Sequence, residues 1–231
     1  MRKLWLLAGC SLALWGCKAA PESSSSKFEV GDYVVYKYSG SYRHEPILLT
    51  EKVLSKTEGN KLEILVEWKS GNETRAWKQY VTDTPYNRSN NIVDRLVKID
   101  GTNEIELPNK DNQDLYKLYE GTYLMTQRVP HLIREEKKSM QAGPGSYLCR
   151  IRTYETKALG KRVEMTVADS EEFKWTNVSS CYTELKSGPN PYNYQRNDLK
   201  PAVPPRSLSD KPKEPEELLY SVEVVEYGNK K

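Results

Sequence analysis

From Phe28 onward the apolar and polar positions follow the period of strands. The clearest case is Lys61 to Lys69, where Leu62, Ile64, Val66 and Trp68 share one face and Lys61, Glu63, Glu67 and Lys69 the other. Such alternation predicts a strand with one face buried. Tyr33 to Tyr38 and Ile47 to Ser55 are β-branched and aromatic runs of the kind that suit a pleated, half-buried surface. Turns at Glu58-Gly59-Asn60 and Gly71-Asn72 link these runs to Glu73–Thr82, which makes four strands in a meander.

The middle of the chain changes period. Asn90 or Asn91 can cap a short helix through Lys98, with Ile92, Val93, Leu96 and Val97 on one side. Asp111 or Asn112 can start a second helix that ends at Gly121 and turns Leu115, Leu118 and Tyr119 inward. Strands are expected again over Thr122 to Val129, His131 to Met140, Ser146 to Glu155, Arg162 to Val167, Glu172 to Thr176, Ser180 to Leu185 and Leu218 to Tyr227. Gly143-Pro144-Gly145 reads as a turn, and the mixed run Arg134-Glu135-Glu136-Lys137-Lys138 as a solvated strand face. Between Gly188 and Pro215 lie seven of the 13 prolines, an extended excursion without helical or strand period. Residues 28–231 are therefore read as one mainly β domain (α+β), a curved antiparallel sheet or half-open barrel with one or two short inserted helices and a Pro-rich loop over 188–215.

The first residues follow another logic. Arg2 and Lys3 precede an apolar stretch from Leu4 to Trp15, then Gly16-Cys17-Lys18, the form of a secretory signal. Twelve helical residues span about 18 Å, short of the ~30 Å hydrocarbon core, so the stretch does not make a stable transmembrane anchor. Leu14-Trp15-Gly16-Cys17 resembles the lipobox of bacterial lipoproteins. The resemblance implies cleavage after residue 16, a diacylglycerol thioether on Cys17 and acylation, palmitate among the chains, of the new amino terminus. Leu7-Ala8-Gly9-Cys10 is the alternative, with Cys10 as the lipidated residue. Lys18 after the cysteine resembles lipoproteins of the outer membrane. Two or three acyl chains hold a protein durably where one binds marginally. Residues 17–27, with Ser23 to Ser26, read as a tether, and its ten residues from Lys18 have a root-mean-square reach of ~18 Å.

Composition narrows the function. The 231 residues are 37% apolar and 29% charged, which excludes a polytopic helical membrane protein. Loss of Arg2 and Lys3 with the signal leaves 33 basic against 32 acidic residues, a net charge of +1, and nucleic acid requires a basic stripe. With Cys10 and Cys17 spent at the amino terminus, Cys149 and Cys181 remain. In an exported domain these read as a disulfide pair, two buried thiols being the alternative.

Candidate chemistry is sparse. His44 and His131 are the two histidines, and no HExxH, GxSxG or Walker loop occurs. The expectation is therefore a protein without catalytic activity, cofactor or metal, with a hydrolase of unrecognised site kept as the last alternative. The order of strands and inserted helices is similar to the half-open barrels of envelope carriers that move lipids or lipoproteins between membranes. That resemblance implies a cavity for a lipid or other hydrophobic ligand. Sixteen tyrosines against two phenylalanines make aromatic walls the natural candidates, with Tyr33, Tyr36, Tyr38, Trp68 and Trp77 as ligand-binding residues. The other reading, preferred narrowly on sequence, is a non-catalytic contact role toward an envelope protein or the cell wall, with the Pro-rich excursion as the surface.

Overall fold

The computed structural model describes residues 26–185, except 109, 128 and 176, and residues 217–230. The expected signal, Cys10, Cys17 and the Pro-rich excursion lie outside the described residues. Ser26 and Lys27, assigned to the tether, are already docked. The Ser26 N–H donates to Asn60 Oδ1 at 3.0 Å, and the Lys56 ammonium donates to the Ser26 and Phe28 carbonyls.

Among the described residues, eleven strands form one antiparallel sheet that is not closed into a barrel. In chain order they are β1 (Asp32–Ser39), β2 (Ile47–Thr57), β3 (Lys61–Ser70), β4 (Glu73–Thr82), β5 (Arg95–Asp100), β6 (Asn103–Leu107), β7 (His131–Ala142), β8 (Gly145–Ala158), β9 (Lys161–Asp169), β10 (Ser179–Glu184) and β11 (Leu218–Asn229). The spatial order is β6-β5-β4-β3-β2-β1-β11-β10-β9-β8-β7. The chain thus starts mid-sheet, meanders to the β6 edge, crosses to the β7 edge and meanders back until β11 pairs with β1. The fold class is the expected one. Curvature shows at the tip of the β7–β8 hairpin, where the Gly143 N–H donates to the Val224 carbonyl of β11 at 3.0 Å.

Topology obliges residues 108–130 to run from one edge to the other. This crossover carries a short helix, α2 (Gln113–Leu118), and buries Leu115, Leu118 and Leu124 in the core. Its contacts then step across the sheet. Tyr119 bonds to β4 and β2, the Thr122 carbonyl accepts from Tyr220 of β11, and Thr126 bridges Ala158 of β8.

Four expectations are corrected. The helix expected over Asn90–Lys98 is instead α1 (Pro85–Asn90) followed by β5. Asn91 takes φ 51°, the left-handed geometry that ends a helix, so it stops α1 rather than starting another. Leu96 and Val97 of the apolar cluster then satisfy the open edge of β4 by ladder pairing, in a register that runs from Ala76↔Ile99 to Tyr80↔Arg95. Of the strand expected over 122–129, the described residues 122–127 and 129 form part of the crossover, with one isolated bridge instead of a strand. Of the strand expected over Glu172 to Thr176, the described residues 172–175 form a loop whose Phe173 and Trp175 plug the core, Trp175 packing edge-on against Phe28 at 4.8 Å. Finally, Cys149 and Cys181 are free thiols. Cys149 lies on β8 and Cys181 on β10, with β9 between them. Cys181 aligns with Thr166 and, through it, with Thr153, four residues along β8 from Cys149. Two ladder spacings of about 4.8 Å each already exceed the ~7 Å Cα limit of a disulfide. Burial pushes both thiols above their ordinary pKa.

Candidate functional site: a tyrosine-lined cleft with an inward carboxyl

Between the sheet's inner face and the crossover lies a cleft of about 760 Å³, within the size range of small-molecule sites. Strand parity decides what faces it. On β1, Tyr36 and Tyr38 point in, and on β3 Leu62 and Ile64 do. On β2 the inward positions are Ile47, Leu49, Glu51 and Val53, so a carboxyl occupies a place that alternation assigns to an apolar residue. Ladder register sets Glu51 beside Val34 of β1 and Val66 of β3. Gln79 breaks the pattern of β4 in the same way, between Trp77 and Val81, and is itself buried.

The crossover completes the polar cluster. The Tyr119 hydroxyl donates to Glu51 Oε1 at 2.9 Å and accepts from Gln79 Nε2 at 2.8 Å. Trp77 supports the Tyr119 ring edge-on at 5.0 Å. Two further phenols pin the crossover, one from the β1–β2 connection and one from β11. Tyr42 donates to the Gly121 carbonyl at 2.6 Å and Tyr220 to that of Thr122 at 2.9 Å. Tyr36, Tyr38 and Tyr220 form an aromatic row, with successive ring centroids 6.3 and 6.4 Å apart.

Burial sets the electrostatics. It raises the Glu51 carboxyl above its ordinary pKa, with the Tyr119 hydrogen bond pulling the other way. Burial also raises the Tyr38 and Tyr119 phenols, reinforced by the nearby Glu51 charge, so both remain protonated donors at neutral pH. Lys27 and Lys174 line the cleft, but Lys174 pairs with Asp32 at 2.8 Å and Lys27 donates to the Phe173 carbonyl at 3.3 Å. Among the described residues, no group of three or more His, Cys, Asp or Glu side chains is placed to hold a metal ion, and neither histidine lines the cleft. The arrangement can accept hydrogen bonds, pair with a positive charge and pack against apolar or π surfaces.

Of the five candidate ligand residues, Tyr36 and Tyr38 line the cleft. Tyr33 lies on the opposite face of β1, where its hydroxyl donates to Glu226 Oε1 at 2.6 Å and the Lys230 ammonium sits 4.2 Å from its ring centroid. Trp68 and Trp77 are core residues, 4% and 0% exposed, and the Arg75 guanidinium covers the Trp68 ring. Glu51, Gln79 and Tyr119 were not among the candidates. The first two were visible as polar residues on otherwise apolar strand faces, whereas Tyr119 reaches them only through the crossover. No protein-family model, curated protein or solved structure matches the chain, so the cleft is interpreted from its own residues.

Proposed function

We propose that this chain is a lipid-anchored protein of the bacterial envelope, most simply of the outer membrane, whose β domain binds a small apolar or amphipathic molecule without transforming it. The observation that carries this reading is the cleft, which offers aromatic and aliphatic walls and a few convergent polar groups. The lipobox resemblance at Cys17, with Cys10 as alternative, supports the anchor. Lys27 and Phe28 line the cleft, so the ligand site stands where the chain emerges from the proposed tether. Full-length protein purified in polymer-bounded native membrane discs and extracted for mass spectrometry should yield a molecule enriched over discs lacking it. Tyr38→Ala should lose that enrichment. A wild-type extract indistinguishable from that of the variant would refute the reading. The anchor is tested separately, by loss of acyl label and release from membranes in Cys17→Ser.

A second reading, contact with another envelope protein, is favoured by one surface. Met125, Val129, Leu132 and Ile133 are exposed to 75, 92, 47 and 52%, clustered in sequence at the end of the crossover and the start of β7. A photo-crosslinking residue at position 129 that captures the same single protein in repeated experiments supports it. Absence of any specific adduct argues against it.

A further inference from the structure

We propose that the ligand of the cleft carries an organic ammonium group, seated between the Glu51 carboxylate and the surrounding tyrosine rings. This deepens the reading of the cleft as a ligand site and rests on it.

Glu51 is the starting point. Its neighbours in the ladder are Val34 and Val66, and those along its own strand face are Leu49 and Val53. A carboxylate taken from bulk water into such surroundings is unfavourable unless paired. Among the described residues its one hydrogen bond is the Tyr119 hydroxyl on Oε1, and no lysine or arginine is in ion-pair contact with it. Both lysines that line the cleft are engaged elsewhere, at Asp32 and the Phe173 carbonyl. The Tyr119 oxygen is also committed, as donor to Glu51 and acceptor from Gln79. Oε2 is thus left to a donor arriving through the cleft.

The walls favour the same chemistry. Tyr36, Tyr38 and Tyr220 present a row of rings, and a cation within about 6 Å of an aromatic centroid is attracted by the ring quadrupole. Leu62, Ile64 and Val81 line the cleft too and can take the apolar remainder of an amphipath. An anionic headgroup would meet the Glu51 charge at close range, and a neutral one would leave that charge uncompensated. An ammonium supplies both the missing charge and the missing N–H.

Full-length protein in lipid nanodiscs is dialysed against hexylammonium, hexanol and hexanoate, with empty nanodiscs as the blank. Hexylammonium should bind at least tenfold more tightly than hexanol, and hexanoate most weakly. Glu51→Gln should keep hexanol binding and reduce the preference for the cation to within about twofold. Should that variant not fold, Glu51→Asp preserves the charge and should preserve the preference. Equal binding of the cation and the alcohol to wild-type protein, or a preference unchanged in Glu51→Gln, overturns the ammonium inference while leaving the cleft as a ligand site. No binding of any of the three probes overturns both.

Discussion

Strands β2 and β7 are of similar length, 11 and 12 residues, and both place charge at positions whose parity points to the sheet's inner face. On β2 that charge is Glu51 alone, framed by buried aliphatic side chains and reached by a phenol from the crossover. On β7 it is Arg134, Glu136 and Lys138, opposite Thr153, Ile151 and Cys149 of β8, and all three are exposed. The difference is the cover. The crossover bonds to β4, β2 and β11 and bridges β8, but leaves β7 bare, so β7 is held mainly by its ladder with β8. Charge on both faces of an edge strand discourages pairing with other chains. A single charge beneath a cover instead alters the chemistry of an enclosed space.

If cover decides, truncation must act very differently in the two regions. Trp77→Ala removes a fully buried indole that supports Tyr119, and is expected to destabilise by about 3–5 kcal/mol. Lys138→Ala, at an inward but bare position, should change stability by less than about 0.5 kcal/mol. Urea unfolding of the two variants measures the contrast, and comparable losses would break it.

The next effect concerns how the covered half is tied to the end of the chain. Asp32, 4% exposed, accepts from the Glu29 N–H, the Lys174 ammonium and the Asn229 amide, and so joins β1 to β11 and the β9–β10 loop. Burial pushes its carboxyl up, but the Asn229, Lys174 and Glu29 hydrogen bonds together outweigh burial and hold it below the ordinary value. The depressed pKa gives stability that is complete above the unfolded value of about 3.9 and is lost as pH falls through the folded one. Asp32→Asn should therefore cost about 1.5–3 kcal/mol at neutral pH, and the gap from wild type should close in acid. Thermal unfolding between pH 2 and 7 reads both the size and the sign.

The same contrast explains which parts of the fold were legible in the sequence. Strand β3 was clear because its alternation from Lys61 to Lys69 is broken at Leu65 alone, and α2 because Leu115 and Leu118 recur at helical spacing. Local pattern failed where a distant edge decides. Ile92 to Val97 fit a helix face by themselves, yet β4 offered an open ladder and they became part of β5 and its approach. The cysteine pairing required strand order, and nothing local says that β9 separates Cys149 from Cys181. The cleft was half legible. Tyr36 and Tyr38 were named for their chemistry, while Glu51 stood unremarked at an apolar parity whose meaning depends on the crossover.

Glu51 sharpens the comparison in the opposite direction from Trp77. Because burial raises its carboxyl, the folded state keeps a proton that the unfolded chain has already lost above about pH 4.3. Stability therefore falls as pH rises from there through the raised folded value, and the full penalty persists above it. The groups facing Glu51 are the Tyr38 and Tyr119 phenols, neutral across that range, so no basic neighbour offsets the penalty. Without ligand, Glu51→Gln should stabilise by about 1 kcal/mol at neutral pH, with the gain vanishing in acid. A variant less stable than wild type at pH 7 would mean that the carboxylate is a structural element rather than a strained one.

The smallest effect is expected at Ile133, where the exposed arm can be read as a contact surface or as inert. Ile133 sits at the bulge between Leu132 and Arg134, has no register partner on β8 and is 52% exposed. Ile133→Ser removes little buried apolar area and breaks no ladder pair, so its effect on unfolding should stay within about 0.5 kcal/mol. That near-silence is what makes the variant useful. Loss of a crosslinked partner in Ile133→Ser, with unchanged stability and unchanged ligand in the cleft, assigns the apolar start of β7 to recognition. A stability loss above 1 kcal/mol would show instead that the crossover covers this arm too, and the contrast between β2 and β7 would not hold.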